Sequence, residues 1–222
     1  MKVTLITHTP EPEKVVAGAA KLCYSSSDVE TLMNGLTTEK VETFIKKLTD
    51  LGHQSPLEHC TFTFGIEGVS RALLAQLTRH RIASYSVKSQ RYVKEGQFEY
   101  VIPPTIAKNY YLKVKFSTLM KKLQEYYNCA VEDGIPPEDA RFILPNACET
   151  KIIVTMNIRS LLHFFDERCC ERAQWEIRDM ANVMLDICKE VAPNLFAKAG
   201  ASCVRGKCKE GKMSCGNPKG GR

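Results

Sequence analysis

Strict alternation of apolar and polar residues is clearest in "TFTFGIEGV", residues 61–69, and predicts a strand with one buried face. "KVTLIT" at 2–7 and "TKIIVTMNI" at 150–158 carry the Val, Ile and Thr typical of strands. "QFEYVIPP" at 97–104 reads as a further strand, stopped by two prolines. Helical spacing governs "EKVVAGAAKLCY" at 13–24 and "EKVETFIKKLTDLGH" at 39–53, the latter with Phe44, Ile45, Leu48 and Leu51 along one side. "SPLE" at 55–58 has a helix-start signature: Ser55 to cap, Pro56 in the first turn, Glu58 reaching back. "SRALLAQLTRHR" at 70–81 returns to helical spacing and sets Gln76 and Arg79 on a common face. A long helix is predicted from about Lys108 to Glu132, closed by Gly134, and "PPEDAR" at 136–141 opens another. From Ser160 to Val191 the pattern stays helical, in two pieces. Strands and helices alternate without a steady βα rhythm. The prediction is α+β: a single domain with a mixed or antiparallel sheet and packed helices over 1–197, then a flexible Cys- and Lys-rich tail over 198–222.

Charge sharpens this picture. The formal net charge is +6, but the chain from Lys198 onward holds seven basic residues against Glu210 alone. Residues 1–197 are therefore formally neutral, with 24 side chains of each sign. Against that balance, "RHRIASYSVKSQRY" at 79–92 packs Arg79, Arg81, Lys88 and Arg91 with His80 and no carboxylate, inside an acid-free window from Gly68 to Lys94. A local basic site in a neutral body suits a small anion better than a long polyanion. Arginine offers planar bidentate donors for phosphate, and the nearby serines and backbone N–H groups can complete such a cradle. A solvated basic loop is the plainer alternative. An RNA-binding module built on the same loop is another, and the neutral body counts against it.

No apolar run approaches the roughly 18 residues of a membrane span, and the N-terminus does not read as a secretory signal. The chain is expected to be cytoplasmic. Ten cysteines could suggest disulfides, but most sit singly among apolar residues and read as reduced, buried thiols. "CVRGKCKEGKMSC", with Cys203, Cys208 and Cys215, offers three sulfurs at spacings unlike a zinc finger, so no metal is expected. His53 and His59 are too far out of phase to share a metal. In "NIRSLLHFFDER", 157–168, Arg159 and His163 are four apart and stack on one helix face, with Asn157 before them and Arg168 beyond. Asp166 and Glu167 can instead make this a surface salt-bridge network. Arg141 is a third, isolated candidate.

"RHR" at 79–81 followed by Ser89 resembles the signature motif of the flavin-dependent thymidylate synthases. "GHQSPLEHCTFTF", "SQRYV", "ARFILPNACETK" and "NIRSLLHFFDERCCERAQWEIR" resemble that family's segments in its order, over about residues 1–195. The resemblance implies reductive methylation of dUMP to dTMP, with methylenetetrahydrofolate as carbon donor, FAD as hydride mediator and NADPH as reductant. It also implies a homotetramer with shared active sites, and neither membrane nor nucleic-acid partners.

By motif, the resemblance assigns FAD contacts to His53, Ser55, Arg79, His80, Arg81, Ile82, Asn157, Arg159 and His163. It assigns dUMP to Gln76, Arg79, Val87, Lys88, Ser89, Gln90, Arg91, Arg141 and Arg168, with Arg168 as the catalytic residue beside the pyrimidine. Val87 stands where relatives often carry a polar or acidic side chain, so a contact there must come from its backbone. Cys23 stands where a hydroxyl is common and receives no FAD contact. Ser89 reads as a binding residue rather than a nucleophile. A different nucleotide-binding flavoprotein remains the other alternative.

Overall fold

The computed structural model describes residues 1–219, so the last three residues of the expected tail lie outside the described range. Strand β1 (Lys2–His8) leads into helices α1 (Pro12–Leu22), α2 (Val29–Asn34) and α3 (Thr38–Leu51). A 3₁₀ turn over Ser55–His59 precedes β2 (Thr61–Ser70) and α4 (Arg71–Leu77), and the short β3 (Ser84–Val87) follows. Then come α5 (Pro104–Ala107), α6 (Tyr110–Glu132) and α7 (Pro137–Ala140). β4 (Glu149–Asn157) runs into α8 (Ile158–Arg168), and α9 (Trp175–Val191) and α10 (Pro193–Phe196) close the series. The strands form an antiparallel sheet in the order β1-β2-β4-β3, and the architecture is α+β as the sequence predicts.

The chain traces two compact units. One comprises Met1–Lys2, Gly65–Arg79 and Tyr85–Ile153; the other comprises Val3–Phe64, His80–Ser84 and Val154–Arg222. In the second unit, burial follows the helical period. α3 buries Val41, Ile45 and Leu48, and α9 buries Ile177, Met180, Ala181, Met184, Leu185 and Cys188. Phe62 meets Phe196 edge-on at 5.7 Å, and Phe165 meets Phe196 at 6.1 Å, the geometry aromatic quadrupoles favour. Leu51, expected on the buried side of α3, is exposed. The helix stops there, because Gly52 turns left-handed at φ 72° and its N–H closes back on the last turn. Beyond α10 the chain keeps contact with this unit through buried Ala199, Ala201 and Cys203, and through an ion pair between Arg205 and Asp166.

The first unit has a core of Phe98, Met120 and Cys148, with Tyr100, Phe116 and Leu123 packed against it. The strand expected at 97–104 does not form. Pairing is confined to a bridge between Tyr100 and Cys148, with the Val101 N–H donating to Ala147 O at 2.9 Å and Glu99 O accepting the Glu149 N–H at 2.8 Å, and the two prolines prevent its extension. A side chain takes over instead, since the Phe98 N–H donates to Gln124 Oε1 at 2.7 Å.

All ten cysteines are free thiols. Burial pushes Cys60 and Cys148 up to about 11, Cys169 to about 12, and Cys188 higher still. These are inert packing groups. No three of His, Cys, Asp and Glu gather as metal ligands among the described residues. Among the described residues no helix is long and apolar enough to cross a membrane.

Candidate active site

In the second unit three distant segments converge on α8. Asn157 caps that helix, its Oδ1 accepting the Ser160 N–H at 2.8 Å, so the side chain assigned to the flavin already has a structural task. Asn157→Ala is expected to cost about 1 kcal/mol, and Asn157→Asp to restore it, as urea denaturation will read. Arg159, two residues on, bonds Gln54 Oε1 at 3.2 Å and pairs with Glu58. "SPLE" does start a helical element, a 3₁₀ helix with Pro56 in its first turn, but the expected capping box does not form. Ser55 makes no cap bond, Pro56 and Leu57 are buried within a single 3₁₀ turn, and Glu58 turns to the arginine. Ser55 and, just before it, His53 remain exposed on this turn. Gly52 aims that stretch, with the His53 N–H donating to Leu48 O at 3.2 Å.

One turn further along α8, His163 lies 4.0 Å from Glu167 and its ring meets that of His80 at 5.8 Å. His80 also stands edge-on to Phe164 at 5.0 Å. At the helix end Arg168 donates its Nε–H to His80 Nε2 at 3.0 Å. The histidine of "RHR" and the assigned catalytic arginine, 88 positions apart, are thus hydrogen-bonded. Desolvation, and then the Arg168 charge, lower the His80 pKa from 6.5 to about 4. An imidazole that accepts from a guanidinium must be neutral, with its proton on Nδ1. Its folded pKa lies below the unfolded value, so the folded chain binds fewer protons at this site. The corresponding stability is whole above about pH 6.5 and is lost as pH falls through that value toward 4. His80→Gln is expected to flatten the fall in melting temperature over that interval. Arg81 and Ile82 follow, both exposed.

In the first unit, α4 starts at Ser70, whose Oγ accepts the Leu73 N–H, and ends at Leu77. The expected common helical face of Gln76 and Arg79 is therefore not formed. Arg79 lies beyond the helix, exposed, its N–H donating to Gln76 O at 3.4 Å, while Gln76 Nε2 donates to Ala72 O. The region 79–92 is also not all loop, since Ser84–Val87 adds an edge strand that ends at the anomalous Val87. Tyr85 ties it to the end of α4 by donating its hydroxyl to Leu77 O at 2.9 Å, and burial pushes that phenol up to about 12.

After the strand, Ser89 Oγ accepts the Arg91 N–H at 3.2 Å, forming a hydroxyl turn. Gln90 is buried and its amide donates to Cys148 Sγ at 3.6 Å, so its side chain is committed to the interior. Lys88 pairs with Glu95 at 2.8 Å. Arg91 pairs with Glu138 Oε2 at 2.6 Å, and Arg141 donates its Nε–H to Glu138 O at 3.2 Å. The structure thus gathers the isolated Arg141 with the "SQR" segment on a single residue. Glu58, Glu95 and Glu138 were missed as members of the site. The available signals were positional: Glu95 ends the acid-free window, and Glu138 lies three residues before Arg141 in "PPEDAR".

A sequence profile for the family described as "Thymidylate synthase complementing protein" matches residues 4–194. A protein of Clostridium tetani named "Flavin-dependent thymidylate synthase" is 53% identical, over 97% of this chain and 93% of its own length. One of Geobacter sulfurreducens with the same name is 53% identical, over 97% and 94%. A third, from Pyrococcus horikoshii, is 44% identical over 96% and 91%. With the profile spanning the fold and relatives matching it nearly end to end, the chain belongs to the flavin-dependent thymidylate synthase family, enzymes that transfer a one-carbon unit.

Proposed function

We propose that the enzyme methylates dUMP reductively to dTMP, taking the carbon from methylenetetrahydrofolate and the reducing equivalents from NADPH through FAD. The observation that carries this reading is the gathering of Arg91 and Arg141 on Glu138, the first on its carboxylate and the second on its backbone carbonyl, beside the serine turn at Ser89. Two guanidiniums held close to one hydroxyl turn suit a nucleotide phosphate. Ser89, Gln90 and Arg91 bind that phosphate, with Gln76, Arg79 and Arg141 completing the grip and Val87 contributing backbone alone.

The residues of the second unit suit FAD. Arg81 and Arg159 offer exposed cations for a pyrophosphate, exposed Ile82 offers apolar surface, and the His80 and His163 rings offer planar partners. His53, Ser55 and Asn157 complete that set. FAD, when bound, supplies hydride chemistry that no side chain can provide. The chain's own contribution is positional and electrostatic. Uracil C5 is a weak nucleophile, and negative charge spread over the pyrimidine strengthens it. Arg168, fixed by His80, stabilises that charge and stays protonated at any working pH.

The apolar side chains Tyr110, Tyr111, Leu112, Val114 and Leu119, all exposed on α6, support assembly into a homotetramer. Free thiols and a formally neutral body support a cytoplasmic enzyme without a nucleic-acid partner. The test is release of tritium from uracil C5-labelled dUMP with formation of dTMP, dependent on FAD, methylenetetrahydrofolate and NADPH. A colourless protein that forms no dTMP sinks the reading.

A further inference from the structure

Glu95, the residue that ends the acid-free window, is 4% exposed. Its Oε2 holds Lys88 Nζ at 2.8 Å. Its N–H donates to Tyr127 Oη at 3.2 Å, and its carbonyl accepts from Gln124 Nε2 at 2.7 Å. Gln124 is itself buried and also holds the Phe98 N–H, so α6 grips this stretch from both ends of one amide. At the other end of the segment, the Lys88 N–H donates to Lys151 O at 2.9 Å. Between these anchors lie Ser89, Gln90 and Arg91, with the Val93 N–H donating to Ser89 O at 3.2 Å. The Lys88–Glu95 pair therefore closes a short loop whose contents are the nucleotide-binding residues.

Stability is a poor account of this pair. Taking a carboxylate out of water is costly, and a buried ion pair is commonly matched or bettered by apolar side chains of similar volume. Here the cost is aggravated, because Glu95 Oε1 is buried without a hydrogen-bond partner. What the pair does fix is geometry. Lys88 and Glu95 cannot slide relative to one another without separating two charges in a poorly solvated place. The arrangement also removes the Lys88 ammonium from the set of free phosphate donors.

We infer that Glu95 is a positioning residue for the nucleotide: its clasp with Lys88 holds Ser89, Gln90 and Arg91 in their binding turn, and Lys88 acts through Glu95 rather than by touching the ligand. The inference rests on the reading of 89–91 as the dUMP segment. It assigns a task to one residue outside the motif, and reassigns one within it.

The test uses the full-length FAD-loaded enzyme and the double variant Lys88→Met/Glu95→Met, which swaps the clasp for apolar groups of similar size. Expected are a melting temperature no lower than the parent's, unchanged flavin absorbance, and faster amide exchange at 89–93. The Kd for dUMP should rise about 10-fold or more, as misplacement of binding groups does, with turnover at saturating dUMP largely kept. Glu95→Gln, which keeps the shape and loses the charge, should show the same effects in smaller measure and covers any failure of the double variant to fold. Parent-like exchange and dUMP affinity in both variants overturn the proposal. So does weaker dUMP binding with parent-like exchange, because that places Lys88 directly on the ligand. A parent enzyme that itself ignores dUMP overturns the substrate reading instead, and that failure shows before any variant is made.

Discussion

Arg168→Ala is expected to lower turnover about 10²–10³-fold while FAD stays bound, the loss typical of removing one preorganised group that stabilises developing charge. Three features of the structure set that expectation. Arg168 is the last residue of α8, so its backbone is fixed by a helix. Its Nε–H is committed to His80, which leaves the two terminal nitrogens as the edge offered to a ligand. His80, in turn, is wedged against Phe164 of the same helix and cannot follow the arginine if it moves. A lysine at 168 has neither the fork nor the Nε donor, so Arg168→Lys should recover little. Rate of dTMP formation at saturating dUMP, set against flavin absorbance per chain, makes the measurement. Turnover close to the parent's, or a variant stripped of flavin, would mean that the role has been misassigned.

Phe164→Ala carries the largest expected cost in stability, about 3–5 kcal/mol. The ring is fully buried, meets Phe165 at 5.6 Å and forms one wall of the His80 site. A chain of this size loses roughly 2–4 °C of melting temperature per kcal/mol, so the shift should be plain in a thermal melt. Phe164→Leu keeps most of the volume and should lose far less. The same cavity frees His80, so Phe164→Ala should also impair turnover at temperatures where it remains folded. Little change in melting temperature would contradict the packing described here.

Elements with a strong period were legible in the sequence, and those decided by partners were not. "TFTFGIEGV" alternates because Phe62, Phe64 and Ile66 all face inward, and the structure keeps that face. The α6 helix, too, begins and ends where its cap residues place it, with Asn109 holding the Leu112 N–H. "QFEYVIPP" has strand composition, but it pairs with backbone only around Tyr100, and its Phe98 N–H is taken by Gln124 from a distant helix, which no local pattern announces. "SPLE" opens a 3₁₀ helix as its proline suggests, but its Glu58 pairs with Arg159 instead of closing a capping box. Leu51 fits the apolar stripe of α3 but is its last residue, exposed where Gly52 ends the helix.

For the candidate site, motif spacing nominated residues without revealing what holds them. Nothing in the string near Arg168 says that its partner is His80, because that contact depends on tertiary placement. Similarly, the acid-free window implied unpaired cations, whereas Lys88 and Arg91 each find a carboxylate from outside it. The counterions are encoded in "VKEG" and "PPEDAR", one just beyond the window and one in a helix first read only for its boundaries.

Glu138 has a consequence for how tightly a nucleotide can be held. Its carboxylate sits on Arg91, and its carbonyl on Arg141, before any phosphate arrives. If Arg91 takes the nucleotide phosphate as proposed, binding exchanges the Glu138 carboxylate for that phosphate, with few salt ions set free. The affinity for dUMP should accordingly depend on ionic strength less steeply than two bare guanidiniums would dictate. On that proposal the tethered acid would also compete with inorganic phosphate for Arg91 and be at hand to take it back when the product leaves.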